Sequence, residues 1–277
     1  MSFNLVLNSS NVVGNNANTY EYKFIGGNFK VGEDYEICAS QVTIPYSWYN
    51  ISTAQTVSII WPGSASSPYT WTIAAGFYTV SDLNLALQQF CSLNGLYLVS
   101  GSSNVYFLSL YTNTTLYKNQ LIAQLIPTSA GSYTAPSTWP GYPATATCPQ
   151  IVLSSSSSQI NSILGFAIGT FPTANTANAS ITSTLTPVGS SVNSLLMSCN
   201  LCSNPISMPS DILCGIPIET TFGSNLNYAP SYQQWVKLTP GKYSSMTVRF
   251  TDQNYTPLLA LDSNVLIVLN IRKRRYD

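Results

Sequence analysis

Ser245-Met246-Thr247-Val248-Arg249-Phe250 decides the fold class. Met246, Val248 and Phe250 fall on one side of an extended chain and Ser245, Thr247 and Arg249 on the other, the period of two of a half-buried strand. Thr239-Pro240-Gly241 marks the turn before it. Beyond it, Val265 to Ile271 is apolar on both sides, as expected of a central strand covered twice. Upstream, Ser194–Leu201, Ile212–Ile218 and Gln234–Leu238 read as further strands. The N-terminal quarter has the same character. Phe3, Leu5 and Leu7 alternate, and Tyr20, Tyr22 and Phe24 alternate against Glu21 and Lys23 before a Gly26-Gly27 turn. Tyr35, Ile37 and Ala39 alternate against Asp34, Glu36 and Cys38. The phase then passes to Val42 and Ile44, which predicts a bulge or a strand long enough to meet two surroundings. Gln55–Trp61 is a further β-like run, closed by Pro62-Gly63. Some eight or nine short strands at the two ends of the chain suit a β-sandwich or jelly roll.

The middle differs. From Leu83 to Ser210 the sole charged residue is Lys118. Leu83, Ala86, Leu87 and Phe90 share one helical face, with Ser81 as the expected cap and Asn94-Gly95 as the stop. Strands are expected at Leu96–Ser100, Val105–Tyr111, Leu121–Ile126 and Gln150–Leu153. Ile160, Ile163 and Leu164 form a helical turn or two ended by Gly165, and 127–146 and 172–190 read as connections. The expected fold class is therefore mainly β, with a small α+β insertion domain over 69–190. The strands of 1–68 and 191–277 lie on either side of it.

Composition narrows function. Charged residues make up 7% of the 277 residues, ten basic and ten acidic, against about 25% in ordinary soluble domains. The apolar fraction, 45%, is high enough for a folded core. Histidine is absent, which removes Ser-His-Asp and Cys-His nucleophile systems and His-containing zinc sites. The start, Met1-Ser2-Phe3-Asn4-Leu5, reads as lacking a secretory signal, and no apolar run approaches a membrane span. Cys38, Cys91, Cys148, Cys199, Cys202 and Cys214 are irregularly spaced and read as reduced, mostly buried thiols. Sequons at Asn8, Asn50, Asn113, Asn178 and Asn254 are no more than chance supplies in so Asn-, Ser- and Thr-rich a chain.

Few residues could carry chemistry. Arg272-Lys273-Arg274-Arg275 is a basic tail suited to nucleic acid or another anionic surface, or simply a charged end that blunts the last strand. Glu33, Asp34 and Glu36 read as solvated charge rather than a calcium site. Cys199-x-x-Cys202 reads as two buried cysteines that a strand would place on opposite faces. Glu219, Asp252 and Asp262 are the candidates for paired-carboxylate work, with nothing to bring two of them together. Trp48, Trp61, Trp71, Trp139 and Trp235 could line a sugar groove but are expected mainly in the core. No catalytic, cofactor or metal residue is assigned. A Tyr-, Ser- and Asn-rich exterior almost without charge suits a subunit that covers much of itself with neighbours.

Three segments, in order along the chain, resemble the penton, or vertex, capsid proteins of virophages, polinton-like viruses and related large DNA viruses. They are Gly76-Phe77-Tyr78-Thr79-Val80-Ser81-Asp82-Leu83-Asn84; Ile163-Leu164-Gly165-Phe166 with Gly169-Thr170-Phe171-Pro172; and Tyr243, Val248-Arg249-Phe250-Thr251-Asp252-Gln253-Asn254, Pro257-Leu258, Asp262 and Asn264-Val265-Leu266-Ile267. The resemblance implies a single jelly roll from the chain's first and last quarters, with the middle inserted as an outward-facing domain. It implies a homopentamer on an icosahedral five-fold axis and no catalytic residues. The expected partners are further copies of the chain and neighbouring major and minor capsid proteins. The basic tail would make weak contact with viral nucleic acid or inner components. The expected location is the virion, after synthesis in the host cytoplasm. The rival expectation is a trimeric fibre head or lectin-like attachment protein on a similar sandwich.

Overall fold

The structure is a computed structural model and describes residues 2–15 and 17–274. The chain is mainly β and divides into two compact units, one of residues 1–48 and 192–277, the other of residues 49–191.

In the first unit the described residues form two large antiparallel sheets. One runs Ser2–Leu7, Leu266–Lys273, Tyr35–Pro45, Asn225–Tyr228, with Val236–Lys237 also paired to Tyr35–Pro45. The other runs Ile212–Pro217, Ser194–Cys199, Ser245–Asp252, Thr19–Lys23. Each buries one row. Leu5, Leu7, Ile37, Val42, Ile44, Ile267, Leu269 and Ile271 are buried in the first sheet, and Tyr20, Leu195, Met197, Met246, Val248 and Phe250 in the second. This is the composition of a β-sandwich, in which period-two apolar rows make the core. The Val265–Ile271 run is central as expected, held between Ser2–Leu7 and Tyr35–Pro45.

The phase change in Tyr35–Pro45 is a bulge. Leu269 pairs with Ala39 and Val268 with Gln41, so Ser40 is left over. Its hydroxyl donates to the Val268 carbonyl at 3.0 Å, which satisfies the widened ladder. Cys38, read as alternating with Asp34 and Glu36, keeps that side of the strand, paired with Asn270 as Glu36 is with Arg272, and is nonetheless fully buried.

The second unit has a four-stranded sheet, Gly169–Phe171, Gln150–Leu153, Gln55–Ile60, Tyr69–Ile73, and a three-stranded sheet, Ala179–Thr182, Lys118–Ala123, Leu108–Asn113. A hairpin, Leu98–Ser100 with Ser103–Val105, accompanies them. Gln55–Ile60 thus pairs with Tyr69–Ile73 and Gln150–Leu153. The division of the chain falls after Trp48, upstream of the boundary expected at 69. Charge already disappears after Glu36 and does not mark the boundary, whereas hydrogen bonding puts Gln55–Ile60 in the second unit's sheet. Strand Ala179–Thr182, in a stretch read as a connection, closes the three-stranded sheet against Lys118–Ala123. Its four residues offer only Ala179 and Ile181 as apolar positions, whereas the equally short Gln150–Leu153 shows a continuous apolar run.

Helix α1, Val80–Leu93, buries Leu83, Leu87 and Cys91. Its cap is Thr79 rather than Ser81. The Thr79 side chain accepts from the Asp82 N–H, and the Asp82 carboxylate accepts from the Thr79 N–H at 2.9 Å. This reciprocal box needs an acid three residues after the cap, which Ser81 lacks. The hydrogen bonds from Thr79 hold the Asp82 carboxyl below the ordinary carboxylate range. Asp82 therefore adds stability above its unfolded pKa, and that contribution is lost as pH falls through the lowered folded value. Thr79→Ala is expected to cost about 1 kcal/mol in chemical denaturation, and to move the carboxyl titration of Asp82, followed by NMR, upward. Helix α2, Ser158–Leu164, ends at Gly165 in the left-handed region, φ 73°, as its sequence position suggested. The serine run before it is structural. Ser154 caps the preceding 3-10 turn, and the buried Ser157 hydroxyl donates to Asn161 Oδ1 at 2.8 Å.

Candidate functional site

The sequence's two charge clusters meet in the first unit. Antiparallel pairing of Leu266–Lys273 with Tyr35–Pro45 sets Arg272 opposite Glu36. The Arg272 guanidinium donates to Glu36 Oε1 and lies over the Trp235 ring, 3.7 Å from its centroid. Lys273 Nζ is 3.0 Å from Asp34 Oδ2, and the Arg274 backbone N–H donates to the Asp34 carbonyl. Asp34 raises the Lys273 pKa by hydrogen bond and charge. The basic stretch thus begins as strand, with Arg272 and Lys273 already facing carboxylates. Arg275 lies outside the described residues. Asp34 and Glu36, read as solvated, are ion-paired instead. The sequence kept the clusters over 230 residues apart, and only the strand register joins them.

The other candidates serve the fold. Asp252 Oδ1 accepts from the Asn254 and Thr256 N–H groups, and Asp262 Oδ1 accepts from the Asn264 N–H. Both hold turns of their own loops. Glu219 is exposed on a mainly polar hollow of about 450 Å³ beside Asn225–Tyr228. Trp48, Trp61 and Trp71 are buried. Trp139 sets its edge against Trp61 at 6.0 Å, and Trp235 is covered by Arg272. The five indoles therefore do not converge on one groove. All six cysteines are buried and outside any disulfide. Among the described residues no group of three or more His, Cys, Asp or Glu side chains could hold a metal, and no helix is long and apolar enough to cross a membrane.

What the sequence did not reveal is surface. In the second unit a cavity of about 400 Å³ opens between the start of α1 and the turn joining Leu108–Asn113 to Lys118–Ala123. Its lining is mostly apolar, from Phe77, Val80, Tyr117, Ile163 and Pro187, and two of its polar side chains are committed elsewhere. Asn119 Nδ2 donates to the Ile163 carbonyl, and Lys118 Nζ to those of Thr184 and Leu185. Elsewhere large apolar side chains stand nearly free in solvent: Ile25 at 94%, Ile206 at 95%, Met208 at 89% and Tyr232 at 87% in the first unit, and Leu93 at 84% in the second. Periodicity does not single these out: Ile25, Ile206, Met208 and Tyr232 sit in turns and loops, and Leu93 is the last residue of α1.

No family model and no curated protein matches the chain. Among solved structures it is similar to the mavirus penton protein, with a TM-score of 0.41 and 11% identity over 98% of this chain and 97% of that one. It is also similar to a chain of the Sputnik virophage structure, with a TM-score of 0.41 and 10% identity over 100% and 99% of the two chains.

Proposed function

We propose that this chain is a structural capsid subunit, a penton protein whose first unit is a single jelly roll and forms a homopentamer at icosahedral vertices. The observation that carries the reading is the strand order of the first unit. Its eight longer strands, counted along the chain, are hydrogen-bonded in the orders first-eighth-third-sixth and second-seventh-fourth-fifth. That order is what a double Greek-key jelly roll gives, a fold used by capsid proteins and by lectins, and it supports the reading. All of 49–191 hangs on the one connection between the third and fourth strands. In this reading that insertion is the outward-facing domain.

Fold alone does not choose between these uses. The resemblance of the three sequence segments supports the capsid reading, and so does the surface. Four of the five most exposed large apolar side chains are on the first unit, whose nine basic and nine acidic residues leave no net charge to keep copies apart. A cyclic ring joins one patch to a different patch of the next copy, and neighbouring capsid proteins would cover the rest. In this reading the chain is made in the host cytoplasm and acts in the virion. Arg272, Lys273, Arg274 and Arg275 face the particle interior. There an anion would compete with Glu36 and Asp34 for the first two, so contact would be weak and salt-sensitive.

The double variant Ile206→Asp, Met208→Asp tests the surface. Removing two solvent-facing side chains leaves the monomer's melting temperature within a few degrees, since surface substitutions usually change stability by less than about 0.5 kcal/mol. Self-association followed by analytical ultracentrifugation is expected to weaken at least ~10-fold, as burying unpaired carboxylates at an interface is costly. Unchanged association would remove this loop from the ring contact. A stable trimer of the unaltered chain, or glycan binding by its monomer, would favour the attachment-protein reading.

A further inference from the structure

Sequence periodicity put Cys199 and Cys202 on opposite faces of one strand; the structure does not. The strand ends at Cys199, and the chain turns through Asn200 and Leu201. The Cys202 N–H then donates to the Cys199 carbonyl at 2.9 Å. A turn of this kind keeps its first and fourth Cα atoms within about 7 Å, against the ~4.4–6.8 Å that a disulfide spans. Beyond the turn Cys202 is bridged to Leu238, which holds it inward. Cys199 is fully buried, and Cys202 is 6% exposed. Each thiol shifts the other's proton affinity.

We propose that Cys199 and Cys202 form an oxidisable dithiol that closes to an intrachain disulfide by exchange with a small-molecule disulfide. The roles follow from the surroundings. The nearby Cys202 thiol and the Leu201 and Cys202 N–H groups favour the Cys199 thiolate, which lowers its pKa despite burial. Cys202 is pushed up. Cys91 and Cys214 are pushed up to about 12 by burial and stay protonated.

In the first step the Cys199 thiolate attacks one sulfur of the reagent, whose S–S bond breaks. A mixed disulfide forms on Cys199, and the departing thiolate takes up the proton that Cys199 gave up. In the second, Cys202 loses its proton and attacks Cys199 Sγ. The mixed disulfide breaks and a second small thiol leaves with that proton. Two protein thiols and one reagent disulfide become one protein disulfide and two reagent thiols. The reagent reaches Cys199 when the chain after it opens. That stretch is held by the Ser203 N–H to the Lys237 carbonyl and the Asn204 N–H to the Ser210 carbonyl, and it carries the exposed Ile206 and Met208. The inference is independent of any role in a capsid.

The test uses the full native chain, equilibrated with glutathione disulfide until its mass is constant, then denatured, alkylated with maleimide and digested. The expected result is a Cys199–Cys202 peptide lighter by two hydrogens and unalkylated, with Cys38, Cys91, Cys148 and Cys214 alkylated. In Cys202→Ser the second step is blocked, so glutathione should remain on Cys199. Full alkylation of Cys199 and Cys202 in the unaltered chain would overturn the proposal, as would a disulfide drawing in Cys38 or Cys214. The unaltered chain decides alone if Cys202→Ser fails to fold.

Discussion

Gly95→Ala is expected to destabilise the second unit by about 3 kcal/mol or more, because it combines backbone strain with a steric collision. Gly95 follows the end of α1 with φ 68°, where a side chain is disfavoured. A Cβ there would lie 2.4 Å from Thr138 Oγ1 and 2.5 and 2.6 Å from the Thr138 carbonyl oxygen and carbon. Two of those atoms are backbone, so the loop carrying Thr138 would have to move. That loop is pinned nearby, since Thr134 and Val99 exchange N–H to carbonyl bonds at 2.8 Å in both directions. The chain on the other side of Gly95 has no slack, with Leu96 and Leu98 fully buried. Gly131→Ala is the control. Its φ of 55° is also left-handed, but a Cβ there meets nothing within 4 Å, so only the conformational cost of about 1–2 kcal/mol applies. Calorimetry and hydrogen exchange of the two variants separate the effects. Equal losses would mean that the collision is relieved and the packing of this loop is looser than described.

Phe250→Ala is the counterpart in the first unit. Phe250 is 1% exposed at the centre of Ser245–Asp252, between Ser194–Cys199 and Thr19–Lys23. Its ring meets the buried Tyr20 ring edge-on, 6.0 Å between centroids and 77° between planes. Truncating a buried Phe costs about 3–5 kcal/mol through lost transfer and the cavity left behind. The aromatic pair adds about 0.5–1.5 kcal/mol to its area. Amides of the 1–48 and 192–274 strands should lose exchange protection first, as those of 49–191 should in Gly95→Ala. Protection lost in the wrong unit would contradict the division of the chain.

The motifs with a strong local cause were legible in the sequence. Met246, Val248 and Phe250 alternate because one side of their strand is buried, and the Ile37-to-Val42 phase change marked the Ser40 bulge for the same reason. Gly165 ended α2 because a left-handed cap favours glycine. Asn225–Tyr228 and Ala179–Thr182 were not legible: each has only two apolar positions, and partners far along the chain create them. The same holds for the sites. The pairing of Arg272 with Glu36 comes from register, and the meeting of Cys199 with Cys202 comes from a turn that strand periodicity hides. Asn50 shows the effect most plainly. A sequon by pattern, it is buried, with its amide donating to the Tyr78 and Gly189 carbonyls and its carbonyl accepting from the Tyr78 N–H.

Electron microscopy of the purified chain, with mass from light scattering on the same sample, bears most directly on the proposed vertex role. A closed ring of five copies with the 49–191 units all on one side is the predicted result. A three-fold particle, or a chain that stays single at high concentration and is missing from purified virions, would contradict it.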